Sequence, residues 1–188
     1  GATIAHVLTA GALRAVAGGM VLLEQHTASA SATLDFTTCI SGTYDDYQVE
    51  LINVIPATNS VTLYMRFSTD GGSSYLATSY GWNHLFVYGA GTSGAEGSTS
   101  DVAIAVSGAA VASAGNGVSG TLRLYDPGAS GTTLKVLTKD TTRDHTSVGL
   151  VHDNGSGYRS VDAVNAFRFL FSSGKITSGT IRMYGVAK

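Results

Sequence analysis

Ala166-Phe167-Arg168-Phe169-Leu170-Phe171 sets three phenylalanines at every second position. A side chain that recurs with period two lies on one face of an extended strand, and three rings on one face have to be hidden against a second layer. A helix would spread the same rings around its axis. The feature therefore asks for a sheet with a buried surface. Ser172-Ser173-Gly174 interrupts the run, and residues 180–186 resume it, with Ile181 and Met183 on one face and Arg182 and Tyr184 on the other. Two strands so close in sequence predict a closing hairpin or a corner between sheets.

The same alternation recurs upstream. Val61, Leu63, Met65 and Phe67 alternate with Thr62, Tyr64, Arg66 and Ser68, the cleanest half-buried strand in the chain. Tyr47, Val49 and Leu51 oppose Gln48 and Glu50 until Pro56, which cannot donate to a ladder, ends the run. Trp82, His84 and Phe86 oppose Asn83, Leu85 and Val87; Val102, Ile104 and Val106 are in phase, as are Val118, Leu122 and Leu124. Further strands are expected over residues 20–25, 33–37, 133–138 and 146–152. Between them, residues 89–100 and 107–117 read as small-residue loops, 139–143 as a polar loop, and Asp153-Asn154-Gly155 as a turn. Asp70-Gly71 is a strong turn signal. The spacing of Ser68, Asp70, Gly72, Ser74 and Tyr75 also matches the Asp-box of sialidase-like propellers, but a single copy without a repeating period does not make a propeller. The sum is an all-β domain of about ten short strands over residues 20–188.

Residues 1–19 differ. They are rich in Ala and Gly, nearly uncharged, and carry Ile4, Val7, Leu8 and Leu13. They read as an N-terminal arm that orders against a neighbouring subunit or a larger particle, with those four side chains as its contacts.

Chemistry is hard to find. Only 13% of the residues are charged, the net charge is −2, and the eleven basic residues are scattered, which excludes the clustered cations that nucleic acid requires. One cysteine, Cys39, permits no internal disulfide. No apolar run approaches the roughly 20 residues of a membrane-spanning helix. The five histidines lie far apart, without HxH or HExxH, so no metal site is expected. GxSxG and GxxxxGK[ST] are both missing, and no pair stands out among Asp45, Asp46, Glu50 and Asp70 for glycoside cleavage. The expectation is a non-enzymatic protein without catalytic residues, metal or cofactor. One segment invites a binding role. Tyr75, Tyr80, Trp82 and Tyr88 lie beside long loops, and such rings either fill a core, the first reading, or stack on sugars or bury at an interface.

Five stretches in order, LLEQHTASASATLDFT, YDDYQVELINVIPA, LYMRFSTDGGSSY, SGTLRLYDPGA and VDAVNAFRFLFSSGKITSGTIRMYGV, resemble the β-sandwich domain of virion proteins of tailed bacteriophages. The resemblance covers residues 20–186. It implies a jelly-roll-like sandwich of two antiparallel sheets and a homo-oligomer, frequently a trimer. It also implies a virion appendage or decoration on head or tail, in contact with other virion proteins, or a tail-fibre module that recognises a host surface glycan. It implies no catalytic residues.

Overall fold

The computed structural model describes residues 19–89 and 91–187, so the proposed contacts of the arm, Ile4, Val7, Leu8 and Leu13, lie outside the described residues. Among the described residues there are twelve strands and no helix: β1 (Met20–Thr27), β2 (Leu34–Phe36), β3 (Asp46–Pro56), β4 (Leu63–Ser68), β5 (Tyr80–Tyr88), β6 (Ser93–Asp101), β7 (Ile104–Ala105), β8 (Val118–Tyr125), β9 (Thr133–His145), β10 (Gly149–Val161), β11 (Ala166–Phe171) and β12 (Ile176–Val186). They form two antiparallel sheets, an eight-stranded one in the order β1-β12-β3-β8-β9-β10-β5-β6 and a four-stranded one in the order β2-β11-β4-β7. The all-β sandwich expected from the alternation is what forms.

The core lies where the apolar faces meet. Phe36, Phe67, Phe167, Phe169 and Phe171 come from the small sheet; Tyr47, Val49, Leu51, Leu122, Leu124, Ile181 and Met183 come from the large one, all buried. The rings meet edge to face, Phe67 against Phe167 at 5.7 Å and Phe36 against Phe169 at 5.8 Å, the arrangement that ring quadrupoles favour. β11 and β12 belong to different sheets, so the chain turns a corner between them rather than closing a hairpin.

Four strands cannot cover eight. The remainder of the large sheet, β9, β10 and β5, is covered by the segment from Val102 to Gly117. Its Val106 N–H donates to the Leu63 carbonyl at 2.8 Å, its Val111 N–H to Val61 at 3.0 Å and its Ala112 N–H to Asp144 at 2.8 Å, which ties it to both sheets. Gly157 is needed here, because a Cβ at that position would run into the Ile104 side chain.

Several local expectations change. The loop read at 89–100 is largely edge strand β6, whose Ser, Gly, Ala and Thr residues leave no apolar period to detect. The polar loop at 139–143 lies inside β9, and the turn at 153–155 lies inside β10. Val102 is exposed and outside β7, so it does not continue the buried phase of Ile104 and Val106. After β4 the chain does not form a β4–β5 hairpin, since these strands lie in different sheets. The Asp70 turn is instead a compact loop built on its own side chains. Ser68 Oγ accepts the Gly72 N–H at 2.9 Å, and the Asp70 carboxylate accepts the Ser74 N–H at 2.9 Å and its hydroxyl at 2.6 Å. Gly71 and Gly72 both take positive φ, 70° and 86°, which explains the two glycines.

Candidate functional site

The four aromatics singled out from sequence do not share a surface role. Tyr80 is fully buried; its hydroxyl accepts the Phe67 N–H at 2.7 Å and donates to the Leu76 carbonyl at 3.2 Å, so it is a core residue and no part of a sugar platform. Tyr75 lies under the Arg168 guanidinium, 4.0 Å from its ring centre, and Arg168 in turn makes a forked pair with Asp35 at 2.7 and 2.6 Å. Tyr88 packs against Phe86 and the edge of His145. Trp82 stacks on His84 at 5.2 Å and donates its indole N–H to Asp101 at 2.8 Å. Each ring is committed to a different neighbour.

Beneath the segment 102–117 lies a group of charges that the alternation of apolar residues could not reveal. β9 turns Lys139, Thr141 and Arg143 inward at period two, and β10 and β5 add Asp153 and His84; all five are buried. Lys139 Nζ donates to the Ala105 carbonyl and approaches His84 Nδ1 at 3.2 Å and the face of Trp82 at 5.6 Å. Thr141 donates to the Val106 carbonyl at 3.3 Å. Arg143 Nε donates to Asp153 at 2.8 Å. Burial, helped by the positive charges of Lys139 and Arg143, pushes the His84 imidazole down to about 4, so it is neutral at pH 7. With Nδ1 accepting from Lys139, its Nε2 carries the proton and donates to Glu96 at 3.2 Å. Burial likewise pushes Lys139 down to about 7, against the opposing pull of Asp153 and Glu96. An amine that loses its proton near neutrality is chemically capable of nucleophilic or base chemistry. Here it is sealed under a backbone carbonyl, and its hydrogen bonds fasten the covering segment to the sheet.

The other face of the large sheet is open. Its register lines side chains into transverse rows: Leu22, Tyr184, Gln48, Arg123, Thr138, Ser156 and Asn83 follow one another across seven strands, and Arg182, Glu50, Thr121, Asp140, Asn154 and Leu85 form the next row. The middle of this face is polar and the two lateral ends are apolar. Met20 (49% exposed) and Leu22 (50%) stand at the β1 end; Leu85 (65%), Val87 and Leu150 (58%) stand at the β5–β10 end. Between them, a recess of about 370 Å³ crosses β3, β8, β9 and β10, lined among others by Gln48, Thr121, Arg123, Thr138, Asp140 and Asn154. Sequence reading placed Gln48 on the solvent side of a strand but put Asp140 in a polar loop and Asn154 in a turn. Their grouping depends on register, which no single strand reveals.

Among the described residues, no group of three or more His, Cys, Asp or Glu side chains could hold a metal ion, and no helix could cross a membrane. Cys39 is buried, and desolvation pushes its thiol well above the ordinary range, so it is no nucleophile. No protein-family model, no curated protein and no solved structure matches this chain.

Proposed function

We propose that the chain is a non-enzymatic structural protein of a tailed-phage virion, a self-associating appendage or decoration on head or tail, with residues 1–19 as its anchoring arm. The observation that carries this reading is the pair of exposed apolar ends on the large sheet. Met20 and Leu22 lie where the arm joins the domain, and Leu85, Val87 and Leu150 lie at the opposite end of the same face. Large apolar side chains left about half exposed or more in two clusters on a low-charge surface fit burial by neighbouring copies or by other virion proteins. Two strongly perturbed ionisable groups, Lys139 and His84, hold the covering segment to the large sheet, which fits a structural part better than a reactive one.

Light scattering on the full chain tests this. The expected result is a homo-oligomer, a trimer by the resemblance, that Leu85→Asp or Leu22→Asp shifts towards monomer while leaving the thermal transition in place. A monomeric parent protein that also fails to bind particles lacking it would refute the reading.

A second reading, recognition of a host surface glycan, is favoured by one observation: the polar recess in the middle of the open face.

A further inference from the structure

We propose that the transverse recess over β3, β8, β9 and β10 is a binding site for a neutral oligosaccharide; this rests on the recognition reading above and places its site away from the Trp82 segment. The donors and acceptors are of mixed type and largely unspent. Among the described residues, Gln48, Thr121 and Asn154 find no side-chain hydrogen-bond partner, and Arg123 Nε is buried without one although its NH2 donates to Asp46 at 2.8 Å. Asp140 accepts from His152 at 2.5 Å through one oxygen and keeps the other free, while the Thr138 hydroxyl has only a long 3.4 Å contact with Tyr125. A face that offers amides, hydroxyls, one guanidinium and one carboxylate suits a ligand whose hydroxyls each donate and accept.

Charge argues for a neutral ligand. Arg123 and Arg182 are balanced by Glu50 and Asp140 in the same two rows and by Asp46 in the adjoining one, so neither a phosphate nor a uronic acid finds a net positive seat. Geometry argues for a short chain rather than one ring or a peptide. From Gln48 on β3 to Asn154 on β10 is three strand spacings, about 14 Å. An extended peptide would seek a free strand edge, and this recess crosses paired strands. Tyr125, 42% exposed in the neighbouring row, offers an apolar ring for sugar C–H groups at the rim. All nine lining residues stand on mid-sheet strands, so the site is preorganised.

The test is an array of neutral and acidic oligosaccharides probed with the full chain, followed by calorimetric titration of each hit. The expected result is a neutral oligosaccharide whose affinity falls by about tenfold or more in the double variant Gln48→Ala/Asn154→Ala, as expected for two lost hydrogen bonds. Affinity should be unchanged in Trp82→Phe and in 0.5 M salt, and thermal melts establish that the exposed double variant still folds. Neutral binding that the double variant retains would overturn the site and leave the recognition reading standing. Binding of acidic sugars alone, lost in salt, would overturn the ligand class. No binding to any sugar would overturn the site and the recognition reading together, while the oligomer measured by light scattering speaks to the virion reading independently.

Discussion

Lys139 should make this protein more stable in mild alkali. Its folded value of about 7 lies below the ordinary 10.5 because burial disfavours the ammonium. Between those two values the unfolded chain binds more protons than the folded one, so stability rises with pH across the window and is lowest below it. From pH 7 to pH 9 the unfolded lysine stays charged while the folded one passes from half to almost wholly neutral, a gain of about 2 kcal/mol. Cys39 works in the opposite direction. Its buried thiol stays protonated while the unfolded thiol starts to ionise, which costs roughly 0.4 kcal/mol by pH 9. His84, the other perturbed group beside the amine, is held down to about 4 by burial and is neutral in the folded protein throughout this window. The assay is urea unfolding at pH 7 and pH 9, followed by the fluorescence of Trp82, the single tryptophan, which stacks directly on His84. Lys139→Met keeps most of the volume and removes the titration. The parent should gain somewhat under 2 kcal/mol across the two pH values, and the variant should stay level or fall slightly. A parent that loses stability over this range, or a variant that gains as much as the parent, would refute the buried-amine argument.

Other outcomes follow from single contacts. Gly81→Ala places a Cβ inside the ring of Tyr158, which lies across that glycine, so the ring must swing out at a cost of about 1–3 kcal/mol in chemical denaturation; adding Tyr158→Ala should recover part of the loss. Asp70, held down to about 2 chiefly by the Ser74 hydroxyl and amide, lends the turn support that is present above the ordinary carboxylate range and lost as pH falls through 2. Asp70→Ala should accelerate hydrogen exchange of the Ser74 amide about tenfold or more while leaving core amides unchanged. Cys39, 2% exposed, should resist an aromatic disulfide reagent in the native protein and react fully in urea.

The fold was legible wherever one face of a strand meets the apolar core. The alternations at Phe167–Phe171, Val61–Phe67 and Tyr47–Leu51 became β11, β4 with its approach, and β3, with the expected residues buried. Legibility failed where the inner face meets something else. β9 turns Lys139 and Thr141 towards backbone carbonyls of the covering segment and Arg143 towards Asp153 of β10, so its inner face is as polar as its outer one and mimics a loop. β6 carries side chains too small to signal either face, and Gly94 accommodates the ring of Phe86, which lies against it. A period-two reading of Lys135, Leu137, Lys139, Thr141 and Arg143 by parity rather than by hydropathy would have exposed the strand. The recess on the open face was out of reach for a different reason. Gln48, Arg123 and Thr138 are separated by 75 and 15 positions in sequence and meet only through ladder register.

The Ala187 N–H donates to the Gly19 carbonyl at 3.0 Å, and Met20 pairs with Val186. Chain therefore enters and leaves the sandwich through adjoining doorways at one corner, and a host polypeptide could carry the whole unit in a surface loop without stretching to reach both ends. Such a unit could be lifted out or exchanged as a cassette, with the β1–β12 pair as the seam that any splice must keep closed.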